Sequence, residues 1–339
     1  MAVRPEDIPD ILARVRASPT SAIPDAWMAA ACPDASPLDR FRLKAWLAEL
    51  PEPLMTMDPA RIPALQKKLA DLDLAALLVP RADEHQGEYI VGRAERLRWL
   101  TGFTGSAGFV IVRREEAALF VDGRYTLQAP AETDASVITC RNFKKPPPLD
   151  WLIERTKAGD RIGFDPKITP MTEAKRWRAA LEKAGASLVV VDPNPIDALW
   201  TDQPGDPFSP AVPQPLTYAG ETSEEKRRRV GEALAARGAD ATVLNQLDAI
   251  AWLLNVRGAD TPSTPLVQSF LILAADGHAT WFVDPLKLVD GMVRHLGNGV
   301  TLRPLVGFGD GLLNLAGKTV SLEAETATAW IDERLREAG

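Results

Sequence analysis

The chain has 339 residues, 46% of them hydrophobic and 25% charged, with a formal net charge of -7. That length accommodates two domains with cores of their own and an extra segment, and an acidic balance with no Lys/Arg stripe argues against a nucleic-acid partner. No stretch approaches the ~20 apolar residues of a membrane span, and the amino terminus, Met1-Ala2-Val3-Arg4-Pro5-Glu6-Asp7, carries acids where a secretory signal has an apolar run. A cytoplasmic protein without membrane contact is therefore expected. Cys32 and Cys140 lie far apart and outside any CxxC or Cys/His cluster, so neither a disulfide framework nor a zinc site is expected.

Residues 1–57 form a leader of unassigned role. Ser36-Pro37-Leu38-Asp39 reads as a helix cap, and Leu43, Trp46, Leu47 and Leu50 follow at helical spacing. A start near Met55 or Met57 is the alternative. Beyond it, a helix is predicted over 64–71 and a strand over 75–79, closed by Pro80. Strands at 109–112 and 117–121 flank a charged turn, and another strand falls at 137–140. Pro146-Pro147-Pro148 makes a stiff break. A helix at 149–157, a strand at 161–164, a helix at 172–184 and a strand at 188–191 follow. Short apolar strands between helices indicate an α/β domain over 58–200 with a mixed, largely buried sheet. Pro204, Gly205, Pro207, Pro210, Pro213 and Pro215 then mark a linker over 201–219.

Residues 220–339 repeat this order. A helix at 223–237, with Ser223 as its cap, holds the longest basic run, Lys226-Arg227-Arg228-Arg229. With Glu224, Glu225 and Glu232 around it, the run reads as a solvated face. A strand at 241–244 comes next, then an apolar helical stretch with Trp252-Leu253, where the first half has Trp99-Leu100. A strand at 270–273 precedes one ending Phe282-Val283-Asp284, which matches Phe120-Val121-Asp122. Elements at 300–302, 318–323 and 326–337 match 137–140, 160–165 and 172–184. The pattern predicts two copies of one fold. The second copy has no counterpart of strand 188–191, so a truncated domain with an open strand edge at 319–322 is expected.

Two motifs are long enough to be specific. One runs from Pro80-Arg81-Ala82-Asp83-Glu84-His85-Gln86-Gly87-Glu88-Tyr89 through Leu100-Thr101-Gly102-Phe103-Thr104-Gly105-Ser106-Ala107-Gly108 to Val121-Asp122-Gly123-Arg124-Tyr125. The other is Asp248-Ala249-Ile250-Ala251-Trp252-Leu253-Leu254-Asn255-Val256-Arg257-Gly258-Ala259-Asp260. Together they resemble the front half of the three-domain Xaa-Pro aminopeptidases, over about residues 60–339. That family has two creatinase-type amino-terminal domains, of ribonuclease H-like topology, ahead of a pita-bread metallopeptidase domain. Ala249 stands where the family usually has Ser.

The resemblance implies a parent enzyme that removes the residue preceding proline at the amino end of peptides. It implies two divalent ions, usually manganese, held in the third domain by two Asp, one His and two Glu, with a bridging hydroxide as nucleophile. His85, His278 and His295 have no partners at metal-ligand spacing. No catalytic residue, metal ligand or cofactor is therefore expected in this chain, which would gate the cleft, limit substrate size and contribute to a homodimer. The alternatives are a stand-alone binding or regulatory module, and a magnesium nuclease built on Asp122, Asp165 and Asp284.

Individual residues carry narrower expectations. Asp83, His85, Glu88 and Tyr89 are candidates for the rim of the substrate cleft, against a plain surface network. Gly102, Gly105 and Gly108 read as a tight turn before a strand rather than a phosphate cradle, since no Gly-Lys-Ser/Thr ending is present. Asp122 reads as a helix cap paired with Arg124. Trp99 and Trp252 read as core residues, and Arg257 as part of the second structural motif.

Overall fold

A computed structural model describes residues 57–339, and the leader, with its helix read from 36–50, lies outside the described residues. The first sheet contains β1 (Ala76–Pro80), β2 (Gly108–Arg113), β3 (Ala117–Val121), β4 (Thr139–Asn142), β5 (Arg161–Phe164) and β6 (Ser187–Val190), ordered β4-β3-β2-β1-β5-β6. The short charged turn 113–116 lets β2 and β3 pair as a hairpin, while β1–β5, β5–β6 and β3–β4 are parallel and joined by crossovers. The central strands are buried on both faces because helices cover each side. α1 (Arg61–Asp71) and α2 (Arg96–Thr101) pack on one face through Leu65, Leu69, Leu97 and Leu100. On the other, α4 (Pro148–Ile153) and α5 (Met171–Lys183) bury Trp151, Trp177 and Leu181. α3 (Gln128–Glu132) is a short helix after β3.

Among the described residues, the second sheet repeats the first, less one strand. β8 (Ala241–Leu244), β10 (Phe270–Ala274), β11 (Ala279–Phe282), β12 (Val300–Arg303) and β13 (Val320–Ser321) run in the order β12-β11-β10-β8-β13. β8–β10 and β10–β11 are antiparallel, β11–β12 and β8–β13 parallel, as in their counterparts. α7 (Ser223–Ala236) and α8 (Leu247–Leu254) cover one face; α10 (Phe308–Leu313) and α11 (Ala329–Ala338) cover the other. Asp122 and Asp284 both follow the third strand of their copy. Each caps a 3-10 turn, accepting from the backbone of Arg124 and Leu286. The duplication predicted from Trp-Leu and Phe-Val-Asp is present in the topology.

Several elements differ from the sequence expectation. The cap of α7 is Thr222, not Ser223: Thr222 and Glu225 exchange side chain-to-backbone bonds in a capping box. Lys226 and Arg227 are buried rather than solvated. Lys226 Nζ donates to Trp252 O (3.0 Å) and Asn255 Oδ1 (2.7 Å), and Arg227 donates to the carbonyls of Gly277 (2.6 Å) and Gly299 (2.9 Å). Carbonyl dipoles from three distant turns replace water around these two cations. His295 lies on the five-residue α9 (Met292–Leu296).

The proline-rich stretch is not a free spacer. Its first part belongs to the first domain, through Gln203 Nε2 to Arg93 O (2.9 Å) and Arg93 to Asp206 (2.6 Å). From Ser209 on it is stitched to the second. There β7 (Val212–Pro213) pairs with β9 (Val256–Arg257), and α6 (Leu216–Ala219) leads to α7. Proline is admissible in β7 because this two-stranded ribbon has no central ladder to break. The anchor is Asp260, whose carboxylate accepts from Ser209 N and Oγ, Gln268 N and Lys287 Nζ (2.7 Å), with Asp260 and Lys287 both buried.

The domains meet symmetrically. Met171 N donates to Ala327 O and Ala329 N to Thr169 O, both at 2.8 Å, so the first residues of the equivalent helices α5 and α11 exchange reciprocal bonds.

Candidate functional site

The sequence-predicted rim residues split into two pairs. Asp83 and His85 turn inward, 1% and 5% exposed, while Glu88 and Tyr89 face solvent. The cause is the segment Arg81–Glu95. In the second copy, strand β8 leads almost directly into α8, but between β1 and α2 the chain makes an excursion that reaches the other domain. His85 Nδ1 donates to Asn245 O (2.8 Å), and its ring lies 4.7 Å from that of Phe270. Asn245 Nδ2 returns bonds to Glu84 O (3.1 Å) and Thr326 O (2.8 Å), and Gln86 Nε2 reaches Ile168 O (3.0 Å). Asp83 accepts from His85 N (3.0 Å), and burial raises its carboxyl above the usual range. For Asp83 and His85 the surface-network expectation gives way to a buried inter-domain junction.

Glu88 and Tyr89 belong to a different group. Arg81 donates to Glu88 O (2.8 Å) and Ser106 O (3.3 Å) and pairs with Glu95 (3.1 Å). Ser106 Oγ lies 2.8 Å from the Tyr125 hydroxyl, and that bond lowers the Tyr125 phenol below its ordinary value. Arg124 grips Asp122 (2.6 Å), and the guanidinium hydrogen bond holds this carboxyl below the usual range. The glycine array makes the turn that presents this face. Gly102 ends α2 at φ +78, where a Cβ would lie 2.7 Å from Glu132 O. Thr104 N and Oγ1 are taken up by Glu132 (2.8 and 2.7 Å). The result is a hydrogen-bonding surface with an exposed aromatic ring, a carboxylate and a guanidinium. Arg81, Ser106 and Tyr125 belong to it although the sequence reading singled out only their neighbours. Their signal was the polar residue closing an apolar strand or turn.

Trp99 and Trp252 do not share a role. Both stand three residues before the left-handed cap of their helix, Gly102 and Asn255. Trp99 is buried and stacks on Trp200 at 5.5 Å. Trp252 is 42% exposed, with Lys226 over its ring at 4.9 Å. The core reading of Trp252 is thus corrected: among the described residues no aromatic ring stacks on it as Trp200 does on Trp99. Arg257 donates to Ala251 O and Val256 O (both 2.9 Å), closing the end of α8.

The three histidines are engaged separately, His85 with Asn245 O, His278 with Thr301 Oγ1 (2.9 Å) and His295 with Leu254 O and Asn255 O (both 3.0 Å). Among the described residues no three His, Cys, Asp or Glu side chains converge as metal ligands. These residues do not fit a dinuclear centre. Asp122, Asp165 and Asp284, the acids of the nuclease reading, do not gather either. Asp165 instead accepts from Asn194 Nδ2 (2.9 Å) and Lys167 N (2.9 Å). Among the described residues no helix is long and apolar enough to cross a membrane.

Two successive matches to the creatinase/prolidase N-terminal domain cover residues 61–199 and 202–339. The chain belongs to the creatinase/prolidase family. It carries two of the family's amino-terminal domains in tandem, and the second match takes in the stitched linker. A probable Xaa-Pro aminopeptidase P of Coccidioides posadasii is 34% identical over 247 residues, 72% of this chain and 38% of the relative. One of Pyrenophora teres is 32% identical over 254 residues, 74% of this chain and 39% of the relative. The chain therefore spans about two-fifths of the length of the relatives it matches. The crystal structure of X-prolyl aminopeptidase from Caenorhabditis elegans, described as a cytosolic enzyme with a di-nuclear active site, matches with TM-score 0.75 and 30% identity. That match covers 80% of this creatinase-type chain and 47% of the nematode one.

Proposed function

We propose that this chain is the amino-terminal part of a cytosolic Xaa-Pro aminopeptidase, and that its two domains orient and gate a dinuclear catalytic domain rather than cleave peptides themselves. The observation that carries the reading is the tandem pair of creatinase-type domains, matched together over 80% of the chain by an X-prolyl aminopeptidase of which they make up 47%. The substrates are peptides with proline in second place. The metal ions, manganese by resemblance, sit on the catalytic domain, and the assembly is a homodimer.

Within this reading the exposed group of Glu88, Tyr89 and Arg124 is the part of the rim that meets the peptide. Asp83 and His85 hold the first domain at its angle to the second. Reading the gene beyond the codon for Gly339 tests the proposal. An in-frame metallopeptidase domain with two Asp, one His and two Glu ligands is the expected result. A stop codon there would contradict it and favour a stand-alone binding module.

A further inference from the structure

A cavity of about 250 Å³ opens in the second domain between the start of α7, the β7–β9 ribbon and α9, lined by Pro213, Pro215, Leu216, Ser223, Asn255 and His295. Asn255 fixes its walls. Its carbonyl accepts from Gln214 N (2.7 Å) beside the ribbon and from His295 Nε2 (3.0 Å) on α9, and its Nδ2 donates to Glu221 O (2.8 Å) ahead of α7. One left-handed residue, at φ +52, thus ties three walls together, and a partner docking here meets a preformed shape.

Large apolar side chains stand exposed beside the lining residues. Val212 precedes Pro213, Tyr218 shares α6 with Leu216, Val293 shares α9 with His295, and Trp252 stands three residues before Asn255. Leu216, Tyr218 and Val293 are 53%, 79% and 68% exposed. Single exposed apolar residues are ordinary, but such a group drawn round one cavity marks an interaction face.

The charges indicate what covers it. Asp290 and Arg294 flank Val293, both are exposed, and neither side chain has a partner among the described residues. Unpaired charges of opposite sign on one face complement a copy of themselves turned about a two-fold axis, each Arg294 meeting the Asp290 of the other copy. A partner of one sign would satisfy only one of them. The cavity and the side chains that project beside it lie on the same face, as an isologous contact requires. Elsewhere the net charge of -7 keeps copies apart, so a face balanced in charge and apolar at its centre is the place for two of them to meet.

We propose that this face joins two copies of the chain across a two-fold axis. Leu216, Tyr218 and Val293 form its apolar centre, the cavity of each copy receives an apolar side chain of the other, and reciprocal Asp290–Arg294 pairs set the register. The interface rests on the homodimer read above only for its stoichiometry, and none of it depends on the catalytic domain or on peptide cleavage.

Sedimentation velocity of the full chain over a concentration series tests it. A dimer is expected. Arg294→Glu and Asp290→Arg each set like charges face to face and should weaken it on the order of tenfold or more, as should Tyr218→Ala. Combining Arg294→Glu with Asp290→Arg exchanges the two signs and should restore the parent dissociation constant, which a misfolded variant would not do. A monomer at every concentration overturns the interface. A dimer indifferent to any of the three single variants, or one that the double reversal fails to restore, overturns it as well.

Discussion

His85 Nδ1 donates to the carbonyl of Asn245 at 2.8 Å, joining two domains across 160 residues of sequence. The contact is buried and backed by Phe270, so losing the donor leaves an unpaired carbonyl. His85→Ala should lower stability by about 1–3 kcal/mol, read as a shift of the urea midpoint. An unchanged midpoint would mean that the junction does not couple the domains.

Asp83 and Asp165 give the chain an unusual pH response. Burial raises both carboxyls above the usual range, so between the ordinary and the raised pKa the folded state binds more protons than the unfolded one. Stability contributed by the protonated forms is complete below the ordinary value. It is lost as pH rises through the raised one. Asp83→Asn keeps an oxygen for His85 N and cannot ionise. The variant should therefore gain melting temperature relative to the parent chain as pH climbs from the acid side toward neutrality. A gap between the two that is constant across this range would refute the assignment.

The linker depends on Asp260. Its partner Lys287 is 3% exposed and Asp260 wholly buried, so Asp260→Ala strands a cation and frees Ser209. The expected cost is about 3–5 kcal/mol. Adding Lys287→Met should recover part of it, because the unpaired charge is then gone. A double variant as unstable as the single one would place the cost in the Ser209 and Gln268 bonds instead.

The tryptophans should separate cleanly. Trp99→Ala empties a packed site beside Trp200 and should cost about 3–5 kcal/mol. Trp252→Ala removes exposed surface and a cation–π contact worth about 0.5–1 kcal/mol. Denaturant titration of both variants measures the ratio, and equal losses would contradict the asymmetry.

Most of the sheet framework was legible in the sequence because apolar runs such as Ala117–Val121 have no other stable place than a buried strand. The repeat was legible for the same reason: Asp122 and Asp284 end equivalent strands. Burial of Lys226 and Arg227 was not, because apart from the Asn255 side chain, 29 residues away, their partners are carbonyls of Trp252, Gly277 and Gly299, and backbone acceptors leave no residue-type signature. Helices α9 and α10 are too short, at five and six residues, to show a period, and α10 contains Gly309 and Gly311. Within the candidate site, local sequence brought Asp83, His85, Glu88 and Tyr89 together as one loop. Their separation into a buried pair and an exposed pair depends on where the second domain sits, which no local pattern encodes.

Release of the amino-terminal residue from a Xaa-Pro peptide by the purified chain, with and without manganese, tests the central claim most directly. The account predicts no release in either condition, because the three histidines are engaged separately and, among the described residues, no three His, Cys, Asp or Glu side chains converge as ligands for a metal. Turnover that rises with added manganese and persists after contaminating peptidases are removed would contradict it.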